Sequence, residues 1–179
     1  SRQSIRKFDR RKKVSRDLIT KCLEVARLAP SACNKQPWRF TIVDSEELLK
    51  KIAKESQLPG IPHEWFETVP VFVVLSIDSD FLTHKIASAI SGIKYNLIDA
   101  GIAGEHFVLA AESLGLATCW IGWFNPKKIR KLLNIPRKIK IVSLIALGYP
   151  DNFEKKEKKR IPLSEIASLN SWDIPYQEI

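Results

Sequence analysis

Hydrophobic positions along the chain alternate between two periodicities. Leu18, Ile19, Cys22, Leu23 and Ala26 recur at the three- and four-residue spacing of one helix face. Ser15 stands as their N-cap, and Asp17 falls in a first turn that the helix dipole favours. This helix should stop before Pro30, because a residue preceding proline avoids the helical region. Phe40 to Val43 predicts a short strand, and Ser45 then caps a helix carrying Leu48, Leu49, Ile52 and Ala53. A turn-rich loop follows at Pro59-Gly60-Ile61-Pro62. Val69 to Ile77 is a near-continuous β-branched run, the pattern of a strand covered on both faces.

Ile93 to Leu114 predicts a long helix with apolar residues spread widely around it. Such a helix lies centrally or at an oligomer interface. Gly101 and Gly104 weaken it by ~1 kcal/mol each relative to alanine, which predicts close backbone packing there. Ala117 to Ile121 and Ile139 to Leu147 predict strands, and Asn125-Pro126 starts a helix between them. After Tyr149-Pro150 the chain turns polar and basic, with a short helix beginning at Leu163 to Ile166. Helices alternating with strands predict an α+β or α/β fold, one sheet flanked by helices.

The 179 residues predict a single domain over 1–179. At 45% hydrophobic, the chain can bury a core without disulfide or metal staples. No apolar run is long and uncharged enough to span a bilayer, and the N-terminus lacks a signal-peptide stretch. Cys22, Cys33 and Cys119 are sparse, odd in number and form no C-x-x-C pair. That predicts a cytoplasmic protein with no metal site. His63, His84 and His106 have no metal-ligand spacing either, and are expected to be surface or core histidines. The chain contains no methionine, even at position 1, which leads us to expect a missing natural N-terminal segment.

A net charge of +9 predicts anionic partners, either nucleic acid or a phosphorylated small molecule. The charge gathers at Arg10-Arg11-Lys12-Lys13 and at Lys155-Lys156-Glu157-Lys158-Lys159-Arg160. Solvated loops are the default for such runs. A nucleic-acid domain needs base-reading or stacking groups among its cations, and neither a helix-turn-helix nor interleaved aromatics occurs here. Arg2-Gln3-Ser4-Ile5-Arg6 offers a more specific site. If extended, residues 2, 4 and 6 share one side, so two guanidinium forks flank a hydroxyl. In Pro30 to Trp38, the small Ser31 and Ala32 would let a flat ring approach the backbone. Asn34 and Gln36 carry both donors and acceptors for a ring edge. Pro37 sets the entry into the strand, and Trp38 is expected as a core anchor.

Arg2-x-Ser4-x-Arg6, a helix, and then Ala29-Pro30-Ser31-Ala32-Cys33-Asn34-Lys35-Gln36-Pro37-Trp38 resemble the nitroreductase family of flavoproteins. The resemblance continues through Asp99-Ala100-Gly101-Ile102-Ala103, Leu114 to Gly122, Leu147-Gly148-Tyr149-Pro150 and Lys158 to Pro162, in the family's order. It implies a nitroreductase-like α+β fold: a central, mostly antiparallel sheet flanked by helices, with a long buried central helix. It also implies a homodimer with FMN at the subunit interface and an extended segment from about 151 to 179 packing on the partner.

Carried over by position, Arg2 binds the FMN phosphate, and Gln3 and Ser4 contact the phosphate or ribityl chain. Arg6 lies near N1 and O2 of the ring, and Lys158 and Arg160 close on the phosphate. Pro30, Ser31, Ala32 and Asn34 come from the other subunit, while Ile121 and Gly122 line the ring through their backbone. The implied activity is a ping-pong transfer of two electrons, as hydride, from NAD(P)H through flavin N5 to a nitroaromatic, quinone or related acceptor. Arg6 would stabilise charge at N1/O2, and no catalytic group beyond the flavin is required.

Gln3 departs from the second arginine frequent in the family, and Cys33 stands where a small residue is common. The region 56–66, with Trp65 and Phe66, either covers the substrate pocket or joins the dimer interface. Trp120 and Trp123 are expected to serve packing. The alternatives are flavin storage or sensing without turnover, a dehalogenating or flavin-cleaving relative, and a basic nucleic-acid-binding domain.

Overall fold

A computed structural model describes residues 2–78, 91–152 and 157–176. Four strands form one antiparallel sheet in the order β1-β2-β4-β3: Trp38–Val43 (β1), Val71–Asp78 (β2), Ala117–Ile121 (β3) and Ile139–Gly148 (β4). The helices are Arg16–Arg27 (α1), Glu46–Glu55 (α2), Tyr95–Ser113 (α3), Pro126–Leu132 (α4) and Leu163–Ile166 (α5). The mixed α+β architecture matches the expectation.

Side-chain alternation in the two middle strands divides the core. Val71 and Val73 of β2, with Ile145 and Leu147 of β4, pack against Ile19, Cys22 and Ala26 of α1 and Phe107, Val108 and Ala111 of α3. Phe72 and Val74, with Leu144 and Ala146, pack instead against Ile52 and Ala53 of α2 and Ile129 of α4. Both faces are therefore covered, and residues 71–77 of β2 are all buried. Each fully buried Val, Leu, Ile or Phe contributes roughly 1.5–3 kcal/mol.

Local signals explain most boundaries. The Ser15 side chain accepts from the Leu18 N–H, and Asn125 accepts from the Lys127 and Lys128 N–H groups ahead of Pro126. Ser45 precedes α2 but makes no side-chain capping bond; Glu46 and Glu47 in the first turn complement the helix dipole there. β1 begins at Trp38, earlier than expected, because Trp38 itself is buried against Ala100 and Ala103 of α3.

The two helix glycines differ. A Cβ on Gly104 would clash with the Trp120 ring and fall 3.0 Å from Leu75, so this glycine admits the indole against α3. Gly101 has open space where a Cβ would sit and lies on the exposed face. Ile98 and Leu109 on the same helix are 49% and 52% exposed. The buried central helix therefore keeps an uncovered apolar stripe. No helix among the described residues is long and apolar enough to cross a membrane.

Candidate flavin site

Residues 2–6 run extended beside the free edge of β3. Ser4 bridges Thr118 in parallel, and the Ile5 N–H donates to the Thr118 carbonyl at 3.0 Å. Strand alternation then sorts the side chains. Gln3 and Ile5 are buried, Arg2 and Ser4 are half-buried, and Arg6 is exposed. Residues 2, 4 and 6 thus share the outward side as expected. Gln3 is buried on the opposite side from Arg2, Ser4 and Arg6.

The electrostatics of Cys119 locate the charges. Burial pushes its thiol up, while Arg6, a Ser4 hydrogen bond, Arg2 and Lys158 all oppose that rise. Two arginines and a serine from the start of the chain, and a lysine 152 positions beyond Arg6, therefore all act on the same thiol of β3. Arg160 does not join them among the described contacts. It is exposed, and its guanidinium donates to the Lys159 carbonyl at 3.2 Å. Arg2 is braced by Glu105 of α3, Nε to carboxylate 3.4 Å.

The β3 strand leads into Ile121 and Gly122. Ser143 Oγ donates to the Ile121 carbonyl at 2.9 Å, fixing the strand end. Gly122 has nothing within 4 Å of a built Cβ, so its backbone faces open space. The following turn is tied to the 56–66 region. His63 Nε2 lies 3.1 Å from the Trp123 carbonyl, and the Asn125 N–H donates to the Ser56 carbonyl at 2.6 Å. Phe66 is 1% exposed and packs on His63 and Phe72. Trp65 is half-buried against Phe8 and Phe66. Trp120 packs as expected, whereas Trp123 is 66% exposed beside Gly122.

Residues Pro30 to Asn34 lie elsewhere. The turn Ala32–Asn34 and the residues after it hold Cys33, Asn34 and Gln36 at φ of 52°, 52° and 48°. Left-handed backbone at non-glycine residues costs roughly 1–2 kcal/mol each, and such strain clusters at functional loops. Ser31 Oγ accepts from the Gln36 N–H, and the Gln36 amide donates to Asn34 Oδ1 at 3.0 Å. The Ala32 N–H donates to Asp99 Oδ1 at 3.1 Å. Asp99 and Glu105 are six residues apart, roughly 9 Å along α3 and about a third of a turn apart around it. Within one protomer, then, the 30–34 turn and the Arg2 cluster attach to different faces of the helix.

The sequence did not single out Asp99 or Glu105 as supports; a buried acid in an apolar helix was the available signal for the first. Cys33 is exposed, while Cys22 is buried and its thiol is pushed up to about 11. His106 Nδ1 lies 3.0 Å from the Ile102 carbonyl of its own helix. His84 lies outside the described residues, as do Lys155 and Lys156. Among the described residues no group of three His, Cys, Asp or Glu side chains could hold a metal.

The family model for the nitroreductase family matches residues 1–149. The chain belongs to the nitroreductase family. It is 34% identical to a putative NADH dehydrogenase/NAD(P)H nitroreductase of Methanothermobacter thermautotrophicus, over 84% of this chain and 74% of that protein. An FMN reductase [NAD(P)H] of Bacillus subtilis is 31% identical over 86% of this chain and 64% of its own. An iodotyrosine deiodinase of Thermotoga neapolitana is 26% identical over 92% and 91%. The crystal structure of a nitroreductase family protein from Clostridium novyi superposes with a TM-score of 0.76 at 32% identity, covering 98% and 93% of the chains.

The described C-terminal segment, 157–176, carries the short helix expected at Leu163–Ile166. It contains α5 and a hairpin in which Ser168 bridges Pro175 and the Leu169 N–H donates to the Ile174 carbonyl at 2.8 Å. Its apolar side chains are nevertheless uncovered, with Ile161 62% and Trp172 95% exposed.

Proposed function

We propose that this family member binds FMN across a homodimer and passes electrons from NAD(P)H to an electron-poor acceptor in a ping-pong cycle. The observation that carries the reading is the convergence of Arg2, Ser4, Arg6 and Lys158 on β3. Arg2 and Lys158 beside the Ser4 hydroxyl suit a phosphate, because a guanidinium fork and an ammonium give charge-assisted hydrogen bonds to its oxygens, and Arg6 adds a further positive charge nearby. The open backbone at Gly122 suits a flat ring lying against the strand end. The residues present therefore fit FMN, the cofactor named in the Bacillus subtilis relative.

FMN held there would supply two-electron, hydride-transfer chemistry between NAD(P)H and the acceptor. The protein's residues bind and orient. Arg2, Ser4 and Lys158 hold the phosphate end, with Arg160 closing on it when the C-terminal segment docks. Arg6 sets a fixed positive charge at the N1/O2 edge, where negative charge develops on reduction. Ile121 and Gly122 line the ring, their position held by Ser143. Pro30, Ser31, Ala32 and Asn34 complete the site from the other subunit. The separation of that turn from the Arg2 cluster, the bare stripe on α3 and the uncovered C-terminal segment all support a paired arrangement.

The test is spectroscopic. Protein purified with added FMN should be yellow and dimeric. NAD(P)H should bleach it without oxygen, and a nitroaromatic or quinone should restore the colour. Absence of FMN uptake would end the reading; uptake without bleaching would leave flavin storage. The deiodinase relative motivates a second reading, reductive dehalogenation. Iodide release from an iodinated phenol, with no turnover of nitroaromatics or quinones, would favour it.

A further inference from the structure

The basic run Arg10-Arg11-Lys12-Lys13 divides by partner. Arg11 forks onto Asp9, Nε at 3.0 Å and Nη2 at 3.2 Å. The Lys12 ammonium stands 5.9 Å from the Tyr149 ring centroid. Arg10 and Lys13 have no such partner among the described residues and instead border a trough against α2. One hollow of this trough, about 680 Å³, is lined by Arg10, Leu49, Ala53, Lys54 and Phe66, among others. A second, about 590 Å³, adds Lys13 and shares Arg10, Leu49 and Val69 with the first.

The charge balance is one-sided. Lys50 pairs with Glu46 at 2.7 Å, and Arg16 pairs with Asp44 at 3.2 Å, so both carboxylates of the second hollow are held. Glu46 also feels Arg10 and Lys13, yet the first hollow keeps a cation excess, with Arg10, Lys50 and Lys54 against Glu67. The apolar lining of the first hollow is half-buried Leu49 together with the buried Ala53, Phe66 and Val69. An apolar floor with a few convergent charges, in a volume of 300–1,000 Å³, is the form of a small-molecule site. A solvated cationic face would need no such floor. Base stacking has no exposed aromatic to use here, because Phe66 is sealed. None of Arg2, Ser4, Arg6 or Lys158 lines the trough, so it stands apart from the flavin cluster.

We propose that this trough binds a monomeric amphipathic anion: an apolar chain lying along Leu49, with a carboxylate or phosphate head between Arg10 and Lys54. The inference does not depend on the flavin assignment, and its test leaves that site intact. The probe is decanoate, kept below its micelle concentration and titrated into FMN-treated full-length protein by calorimetry, with uncharged decanamide as control. Arg10→Ala with Lys54→Ala should weaken decanoate binding by about tenfold, equivalent to 1.4 kcal/mol. Both positions are exposed, so the fold should persist, and unchanged far-ultraviolet circular dichroism checks that. In isotope-edited NMR, decanoate should shift the Leu49 and Ala53 amides and leave Cys119 unmoved. Equal affinity in the double variant, equal binding of decanamide, or binding to anionic phospholipid vesicles without binding to monomeric decanoate would each overturn the proposal.

Discussion

Arg2 Nε lies 3.4 Å from the Glu105 carboxylate, so the first cation of the chain is braced by the middle of α3. Both side chains are partly exposed, and such a pair contributes ~0–1 kcal/mol to stability. Its value lies in orienting a guanidinium for a phosphate. Arg2→Ala should therefore leave the melting temperature of FMN-free protein nearly unchanged. A charge-assisted hydrogen bond contributes about 1.5–3 kcal/mol, so FMN affinity should fall by about 10- to 100-fold. Titration of flavin fluorescence measures this, and an unchanged dissociation constant would remove Arg2 from the phosphate site.

The 30–36 turn gives a second prediction through its cysteine. Cys33 is exposed in the single chain, whereas Cys22 and Cys119 are buried with thiols pushed up by desolvation. The thiolate is the nucleophile that attacks a thiol reagent, so the reagent should label exposed Cys33 and spare the other two in native protein. If residues 30–34 border the flavin of the partner, adding FMN should slow that labelling several-fold. Peptide mapping after a brief iodoacetamide pulse reads the outcome. Labelling of Cys33 that FMN leaves unchanged would argue that the turn stands away from the cofactor.

Periodicity and caps made the scaffold legible. Ser15 and Asn125 capped where the sequence placed them, and the unbroken apolar run of β2 came out buried on both faces. The site was legible where strand alternation applies, because residues 2, 4 and 6 need only an extended backbone to share a side. It was illegible where tertiary contacts override local preference. No propensity marks Cys33 and Gln36 for left-handed backbone; the turn that holds them is closed by the Ser31 bond to Gln36 and tied from outside by the Asp99 bond to Ala32. Phe66 carried a loop reading, yet its ring completes the core against Phe72. Spacing alone likewise could not tell Gly104, which admits an indole, from Gly101, which faces outward.

Acid should weaken the N-terminal segment through Asp9. The Arg11 guanidinium beside it holds its carboxyl below the usual carboxylate range. A carboxylate depressed in the folded state contributes stability above its unfolded value, about 3.9, and loses it as pH falls through the folded value. Asp9→Asn keeps an acceptor for the Arg11 N–H but removes the charge. The variant should melt below the wild type at pH 7, and the gap should close below about pH 4. Melting curves at several pH values test this; a gap that persists at pH 2.5 would assign the loss to something other than the ion pair.

The sharpest test concerns the stripe on α3. Ile98, Gly101 and Leu109 are exposed on a helix whose other faces are buried, and Leu109 lies four residues beyond Glu105. Placing a charge there leaves one chain able to hold it in water, while a paired arrangement must bury it. An uncompensated buried charge costs several kcal/mol. Leu109→Arg should therefore keep the circular dichroism of the wild type, dissociate the dimer at micromolar concentration in light scattering, and lose FMN with it. FMN retained by a monomeric Leu109→Arg protein would show that one subunit suffices to hold the cofactor. An intact dimer with bound FMN would instead place the interface elsewhere than α3.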